Sequence, residues 1–566
     1  MDFPPEGWRI RGRERRIWIS QVYILSLQKK EIMRMKRVLC LVLTAMAAAS
    51  CGPLGREYDV CVYGGTASGV IAAYSAACMG EKVILVSPDA QLGGMTTGGL
   101  GYTDIGNKQA IKGLARQFYR RVGERYGKEE AWVFEPHVAL EVLEEYASHP
   151  GITRLEPYWL TGVKTQGGRI RKISVTGVNP GAGRPLTVRA KCFIDCSYEG
   201  DLMAIAGVSY TVGREGNDVY GETWNGVQML TGHQFPDGVN PFVEPGNPES
   251  GLVWGVSSGT LLPPGSADGL VQAYNYRICL TDSLENMIPI TRPERYDSTR
   301  YELAVRLFAA QPDKRTLNDY FIWSPMPGRK TDINNRGGFS TDMIGMNHNY
   351  PEASREEREA IIREHIDYTK GLLYFYGHDE RVPEELRSEM LRWGYPKDEF
   401  TACGNWTPQL YVRESRRMVG VYVATQTDCE GKAGVSDGVG FAAYNMDSHN
   451  CQRIALQKDG VWMVKNEGNV EIPGGVPYPV SYRCLIPKPE ECTNLLVPVC
   501  LSASHIAYGS IRMEPVFMGL GQACGVAASL AVRGGCGVQD VDVAAIQAIL
   551  TEDPLLEGRQ EAGGAE

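Results

Sequence analysis

The fold is decided by Tyr58-Asp-Val-Cys-Val-Tyr-Gly-Gly-Thr-Ala-Ser-Gly69, which Lys82-Val-Ile-Leu-Val-Ser-Pro88 follows closely. The apolar run at 60–63 predicts a short buried strand, and Gly64 and Gly65 allow a tight turn into a helix of small residues. Such a turn presents backbone N–H groups and the positive end of a helix to a pyrophosphate. The pattern therefore indicates a β-α-β unit that binds a dinucleotide.

This unit departs from the strict Gly-x-Gly-x-x-Gly pattern at one position. Thr66 stands at the second glycine, where backbone normally approaches phosphate most closely. Residues 83–86 nevertheless form a second apolar strand at the required spacing. An acid usually follows this strand to hold the ribose hydroxyls, and here Ser87 stands there, with Asp89 as the alternative. A β-α-β unit without a nucleotide is the other interpretation.

A further segment, Leu92-Gly-Gly-Met-Thr-Thr-Gly-Gly99, extends the motif. With the first two segments it resembles the FAD-dependent oxidoreductase family of the two-dinucleotide-fold flavoproteins, whose FAD module is like that of glutathione reductase. Some members are labelled xanthan lyase. Later blocks follow in the family's order, and they begin at Phe193, Gly221, Arg413, Tyr444 and Ser502. The resemblance covers residues 57–535.

The resemblance implies an α/β fold, with a Rossmann-like FAD-binding domain of three layers around a parallel sheet and an inserted α+β substrate domain. FAD is expected to bind noncovalently. The residues implied to contact it are Gly64, Gly65, Thr66, Ala67, Ser68, Gly69, Ser87, Gly93, Gly94, Met95, Thr96, Glu199, Arg512, Glu514, Gly521 and Gln522.

The FAD-binding domain is predicted to be discontinuous in sequence. The expected order is a first part at 57–206, an inserted substrate or cap region at 207–428, a return at 429–540 and a tail at 541–566. The apolar segment at 516–532 contains several glycines and a glutamine, which favours a packed helix over a membrane span. In the resemblance its positive end faces the flavin.

The beginning of the chain has the character of an export signal. Residues 1–34 are basic and patternless and are interpreted as an extension, whereas Met35-Lys-Arg37 and the apolar run at 38–49 predict a signal peptide over 35–50. Ala48-Ala-Ser-Cys51 resembles a bacterial lipobox, so we expect lipidation at Cys51 and a periplasmic or cell-envelope lipoprotein of the Bacteroidetes type. Only the lipid would then contact a membrane. An ordinary signal peptide and a cytoplasmic protein with an apolar leader are the alternatives.

Composition and motifs indicate whether the chain binds nucleic acid, a metal ion or an iron–sulfur cluster. The chain has 566 residues and a net charge of −9 with acids and bases well mixed, and no basic stripe with interleaved aromatics indicates nucleic acid. No metal motif is present. Distant relatives of the flavin module carry iron–sulfur clusters, but the 15 cysteines include no C-x-x-C spacing, so no cluster is predicted. Oligomeric state and disulfides are left open.

The candidate catalytic residues are His449, His505 and Arg413. Hydride transfer at a flavin needs a base for the accompanying proton, and both histidines lie in polar, family-like blocks. Arg413 and the other arginines up to Arg417 are predicted to share a helical turn facing a polar substrate, with Trp406 and Tyr411 as an aromatic surface nearby. A purely structural role is the alternative for each.

These observations predict an enzyme that oxidises or reduces a small polar, carbohydrate-derived substrate by hydride transfer to or from flavin N5. Its electron acceptor is undetermined, with a quinone, a carrier protein or oxygen favoured over nicotinamide. Two alternatives remain. One is a polysaccharide lyase of the xanthan type that uses Tyr411 or His449 as base, and the other is a glycan-binding lipoprotein without catalysis.

Overall fold

The computed structural model describes residues 57–178, 185–474 and 476–560. The predicted extension at 1–34, the signal peptide at 35–50 and the lipidation site Cys51 lie outside these residues. From Tyr58 onward the chain forms one compact unit.

The strands of the described residues are β1 (Glu57–Tyr63), β2 (Val83–Val86), β3 (Ile152–Leu155), β4 (Tyr158–Thr165), β5 (Ile170–Gly177), β6 (Leu186–Asp195), β7 (Tyr210–Thr211), β8 (Ile278–Thr281), β9 (Met287–Pro289), β10 (Phe321–Met326), β11 (Lys330–Asn335), β12 (Gly394–Pro396), β13 (Arg417–Met418), β14 (Gly438–Ala442), β15 (Met446–Ser448), β16 (Gln452–Lys458), β17 (Val461–Glu467), β18 (Val470–Ile472), β19 (Tyr478–Ser481) and β20 (Leu495–Leu496).

The helices of the same residues are α1 (Ala67–Cys78), α2 (Gly113–Arg125), α3 (Pro136–Ala147), α4 (Asp201–Ile205), α5 (Asn217–Tyr220), α6 (Glu302–Ala310), α7 (Arg355–His378), α8 (Glu384–Met390), α9 (Gln426–Cys429), α10 (His505–Ile511), α11 (Glu514–Gly534), α12 (Val543–Glu552) and α13 (Glu557–Gln560).

The main sheet has seven strands in the order β3-β2-β1-β6-β5-β4, with β20 beside β6. β1, β2 and β3 pair in parallel, as do β20 and β6, and α1 forms the crossover between β1 and β2. This half is the Rossmann-like unit that the glycine turn predicts. The parallel sheet expected from sequence is extended by an antiparallel hairpin of β4 and β5, which turns at Gly167 and Gly168, both at positive φ. β5 pairs antiparallel with β6 and so joins the hairpin to the sheet.

Helix α11 packs directly on α1. The Ser68 hydroxyl donates to the Phe517 carbonyl oxygen at 2.7 Å, and a Cβ on Gly521 would lie 2.4 Å from the Ser68 carbonyl oxygen. By length and composition α11 is long and apolar enough to cross a membrane, but most of it is buried inside the fold. The first turns of α1 and α11 therefore lie side by side, as two helix N-termini at one place.

The inserted region contains a second sheet of five antiparallel strands, in the order β10-β11-β8-β12-β9, together with α6, α7 and α8. This sheet falls within the predicted insertion at 207–428. β20 and α11, which return to the first sheet and to α1, fall within the predicted return at 429–540. The boundaries themselves stay a prediction.

Candidate active site

The turn between β1 and α1 requires its glycines because backbone approaches backbone there. Gly64 has φ +102°, and a Cβ on it would lie 2.5 Å from the Cys196 carbonyl carbon. A Cβ on Gly69 would lie 1.9 Å from the Gly64 carbonyl oxygen, and one on Gly65 would meet the Ser87 hydroxyl at 2.4 Å. The turn is thus held tightly against both neighbouring strands.

The structure explains why a threonine replaces the second glycine. Thr66 is the N-cap of α1, and its hydroxyl oxygen accepts from the Gly69 N–H at 3.2 Å while the hydroxyl donates to the Cys196 carbonyl oxygen at 2.9 Å. The side chain is 6% exposed, so it points into the protein and away from the space above the helix. The motif tolerates this threonine as a capping residue.

The backbone N–H group of Ser68 has no acceptor within the described part of the chain, and that of Ala67 has only the loose bridge to Gly93. They lie in the first turn of α1, where the helix dipole adds a partial positive charge. An anionic pyrophosphate would satisfy these donors, so this turn fits the phosphates of a dinucleotide.

At the tip of β2 the geometry favours Asp89 over Ser87 as the ribose ligand. The Ser87 side chain is fully buried beneath Gly65, and its hydroxyl oxygen accepts from the Asp89 N–H at 3.1 Å. The Asp89 side chain is exposed. Burial raises the pKa of Glu199 to about 7, and the negative charge of nearby Asp89 adds to that rise.

The predicted cofactor segment at 93–96 connects the two helix N-termini. The Gly93 N–H donates to the Gly65 carbonyl oxygen at 2.7 Å, and the Thr96 hydroxyl donates to Glu514 at 2.8 Å. Tyr198 joins them, because its hydroxyl donates to Glu514 at 2.7 Å and accepts from the Met95 N–H at 2.9 Å.

Burial raises the pKa of Glu514 to about 7, and the two hydroxyl donors oppose that rise. Gly94, like Gly93, has a positive φ, which places both glycines where a side chain would be strained.

Beside this junction lies an arginine that sequence reasoning placed at the cofactor. Arg512 separates α10 from α11, and its guanidinium donates to the Tyr411 hydroxyl at 3.0 Å and to the Asp447 carboxylate at 3.1 Å. Its Nε atom is buried with no acceptor within the described residues. A buried donor without a partner is costly, so this atom is expected to meet a ligand or an ordered water.

Arg413 lies against the same tyrosine. Its guanidinium carbon is 4.8 Å from the centre of the Tyr411 ring, and its NH2 group is 2.8 Å from an Asp342 oxygen. Like Arg512, Arg413 keeps a buried Nε with no acceptor among the described residues. Two buried cations thus contact one half-buried phenol.

His449 completes this polar site. Its Nδ1 is 2.9 Å from an Asp342 oxygen, whereas its Nε2 lies 3.7 Å from Asp447, beyond hydrogen-bond distance. Burial lowers the pKa of His449, and the nearby Arg413 cation lowers it further. The ring is therefore neutral at pH 7, with the proton on Nδ1 held by Asp342 and the lone pair on Nε2 free to accept a proton.

The second predicted catalytic histidine, His505, has a different setting. It is 1% exposed, with Nδ1 2.7 Å from Glu414 and Nε2 3.0 Å from the Ser448 hydroxyl. Burial lowers its pKa to about 3. Both ring nitrogens are occupied and no surface is open to a substrate, so the structure favours a structural role for His505.

The predicted helical turn through the arginines is wrong. Residues 412–416 are irregular and Arg417 begins β13, so the side chains diverge. Arg416 pairs with Asp201 at 2.8 Å and Arg417 with Glu215 at 2.6 Å, and only Arg413 reaches the polar site. The expected aromatic surface is also partly wrong, because Trp406 is 7% exposed and packs in the core.

The two predicted cofactor residues farther along α11 contact protein. Gly521 is the close-packing point against Ser68, and Gln522 accepts from the Leu114 N–H at 2.9 Å and donates to the Pro554 carbonyl oxygen at 2.8 Å. Both residues position α11. Their assignment to the cofactor stays a prediction.

Sequence reasoning missed three residues of the polar site. Asp342 anchors both Arg413 and His449, and Asn335 lies 3.3 Å from His233 and 3.5 Å from Arg413. His233 in turn lies 3.1 Å from Glu471, which raises the histidine pKa against the effect of burial. No local motif marks these residues, because each comes from a separate segment of the insertion.

A cluster of Glu135, His137 and Glu399 has the spacing of a metal site within the described residues. However, the Lys330 ammonium lies 2.7 Å from both Glu135 and Glu399. The lysine already supplies the positive charge, so this cluster is a buried ion-pair network.

The profile of the FAD dependent oxidoreductase family matches residues 59–550. The chain belongs to this family. It is therefore an FAD-dependent oxidoreductase, with FAD as its cofactor and a Rossmann-like FAD-binding domain. The residues present fit the cofactor, since the N–H groups in the first turn of α1 lie beside the first turn of α11.

The comparison with solved structures found similarities of low identity over part of the chain. OxyS anhydrotetracycline hydroxylase from Streptomyces rimosus is 14% identical, over 32% of this chain and 36% of that one, with a TM-score of 0.22. Glycerol-3-phosphate dehydrogenase from Bacillus halodurans, solved with FAD, is 11% identical over 27% and 37%, also with a TM-score of 0.22. The chain thus spans less than half the length of either. No curated protein matches the sequence.

Proposed function

We propose that this flavoprotein oxidises or reduces a small polar, carbohydrate-derived substrate by hydride transfer to or from FAD, with His449 as the base. The observation that carries the proposal is the pairing of His449 with Asp342, which leaves Nε2 without a hydrogen bond within the described residues. When bound, FAD supplies the two-electron chemistry.

The residues around His449 have different proposed roles. Asp342 fixes the ring orientation and the position of its proton, so Nε2 can take a proton from a substrate hydroxyl or return it in the reverse direction. Arg413 and Arg512 both lie against Tyr411, and the Nε atom of each has no acceptor among the described residues. They would donate to substrate oxygens, which supports a substrate rich in hydroxyl or carboxyl groups.

Charge also supports a polar substrate. Asp447 lies between Arg512 and His449, and Tyr444 is close enough to Asp104 and Asp447 for their negative charges to raise the phenol pKa. Several ionised groups gathered within the fold bind polar atoms better than apolar ones, because burying an apolar surface against them leaves the charges unpaired.

The test is anaerobic reduction of the bound flavin by a panel of sugars, polyols and uronic acids, followed by the loss of flavin absorbance. At least one polyhydroxy compound should bleach the wild-type protein. His449→Ala should keep its FAD and bleach at least about 100-fold more slowly, whereas the surface variant His378→Ala should bleach at the normal rate. Equal rates in the His449→Ala and wild-type proteins would remove this histidine from the mechanism.

The lyase alternative gives a different result in the same assay. A lyase would convert a uronic-acid polymer to an unsaturated product without bleaching the flavin. That outcome would overturn the oxidoreductase substrate proposed here while leaving the cofactor assignment intact.

A further inference from the structure

A cleft of about 600 Å³ lies on the side of α11 that faces away from α1. Its walls come from the start of α2, from β14, from α11 and from the segment around α12. Its lining includes Pro515 and Val516 of the first turn of α11, but none of the residues of the polar site around His449. Gln522 also lines the cleft, with its side chain held by Leu114 and Pro554. The cleft is therefore a second cavity, separate from the polar site.

The charged residues that line the cleft all have the same sign. They are Lys112, Arg116 and Arg120, and no carboxylate is among the lining residues. Arg116 is neutralised by Glu130, which it contacts through two hydrogen bonds of 2.9 Å. Lys112 and Arg120 are exposed, and neither has a carboxylate within 4.0 Å in the part of the chain that the structure describes. Two unpaired positive charges thus stand at the wall.

The remaining walls are largely apolar. Val439, Val516, Leu550 and Leu555 line the cleft, and Phe441 is 41% exposed there. The Lys112 ammonium lies 5.4 Å from the centre of the Phe441 ring, so the cation and the aromatic surface adjoin each other. An apolar cavity with cations at one side matches a molecule with an apolar body and an anionic head.

Gly519 provides independent evidence that the cleft receives something. It is the one residue of α11 from Glu514 to Ser529 that is not buried, and it lines the cleft. A Cβ at this position would meet no atom within 4 Å. Glycine weakens a helix interior, and neither packing nor a positive φ requires it here. The missing side chain keeps the cleft open.

We propose that this cleft binds an amphiphilic organic anion, with its apolar body against Phe441, Val516 and Gly519 and its anionic head at Lys112 and Arg120. The volume lies within the range of roughly 300–1,000 Å³ that small-molecule sites occupy. Binding here depends on the cleft alone and not on the reaction proposed for the polar site.

The binding test uses the FAD-loaded protein and isothermal titration with three probes: decanoate below its micelle-forming concentration, 1-decanol and butyrate. Decanoate should bind saturably at one site. The other two probes should bind at least tenfold more weakly, because 1-decanol lacks the anionic head and butyrate lacks the long apolar body. Absence of saturable decanoate binding would overturn the proposal. Equal affinity for 1-decanol or butyrate would also overturn it, because the head or the body would then be irrelevant.

Two variants locate the site. Gly519→Leu should fill the cleft and weaken decanoate binding at least tenfold while flavin content and the unfolding temperature stay at wild-type levels. The double variant Lys112→Glu, Arg120→Glu changes only exposed side chains and should weaken binding by a similar factor. Arg171→Glu, an exposed charge reversal on β5, is the matched control and should bind normally. Wild-type affinity in both cleft variants would place decanoate elsewhere and contradict the proposal.

Discussion

Nδ1 of His449 lies 2.9 Å from Oδ2 of Asp342, a residue 107 positions earlier in the chain. The other Asp342 oxygen is 2.8 Å from Arg413. One carboxylate thus fixes a base and a cation that come from different segments. Through this pairing the imidazole keeps its proton on the nitrogen away from Asp447, and the opposite nitrogen is left able to accept a proton.

Replacing Asp342 by asparagine should lower turnover by roughly 10²–10⁴-fold with FAD still bound, because an amide can donate to Nδ1 and so favour the wrong tautomer. The measurement is the rate of flavin bleaching by the substrate found in the panel. Asp313→Asn, at an exposed position, is the control and should leave the rate unchanged. A normal rate in Asp342→Asn would show that the pairing does not set the tautomer.

The pH dependence of kcat/KM should reflect the lowered pKa of His449. Burial and the Arg413 cation lower the pKa of His449 below the ordinary value of 6.5. The value of kcat/KM should therefore stay constant from pH 8 down to 6.5 and fall only in more acid solution. Arg413→Gln removes a positive charge beside the ring, so its acid limb should shift to higher pH. An acid limb above 6.5 in the wild-type protein would contradict the assignment of His449 as base.

Glu514 should make stability depend on pH. Its pKa rises from an ordinary 4.5 to about 7 on folding, so the folded chain holds the proton more tightly. The stability that this raised pKa contributes is fully present below pH 4.5 and is lost as the pH rises through 7. Glu514→Gln should therefore gain up to about 3 kcal/mol at pH 8 relative to wild type and little at pH 4. Thermal unfolding at both pH values measures this, and an equal gain at both would exclude ionisation as the cause.

Gly69→Val should lose FAD. The new side chain would begin 1.9 Å from the Gly64 carbonyl oxygen, so the turn and α1 must separate, at a cost of about 2 kcal/mol or more. The measurement is the ratio of flavin to protein absorbance after purification. Gly162→Val on β4 is the control, since a Cβ there meets only Ser174 at 4.0 Å. Full flavin occupancy in Gly69→Val would refute the placement of the pyrophosphate at this turn.

His505→Ala should reduce stability more than rate. The change leaves the Ser448 hydroxyl and one Glu414 oxygen without a ring partner, which costs about 1–3 kcal/mol at neutral pH. With a pKa of about 3, wild-type His505 opposes folding as the pH falls below 6.5, so the difference between the two proteins should shrink in acid. Denaturant unfolding at pH 7 and pH 5 measures this. A large loss of turnover with unchanged stability would instead return His505 to the mechanism.

The sequence by itself determined the dinucleotide turn. Gly65 and Gly69 are needed because a side chain there would meet Ser87 and Gly64 of the same β-α-β unit, whereas at Gly64 it would meet Cys196, just after β6. Short-range sterics leave few residue types at such positions, so a local pattern carries the information. The sequence also predicted that residues 516–532 form a packed helix, from their glycines and glutamine, whereas the packing of α11 against α1 came from the structure.

Only the tertiary structure decided which polar residues act together. A serine precedes both His449 and His505 in the chain. His449 nevertheless keeps one ring nitrogen without a hydrogen bond among the described residues, whereas both ring nitrogens of His505 are bonded, to Ser448 and Glu414. Arg413 meets Asp342 because two distant segments pack together, and no spacing in the chain encodes that contact. A side chain's pKa and accessibility depend on what long-range packing brings against it, and the residue type alone does not set them.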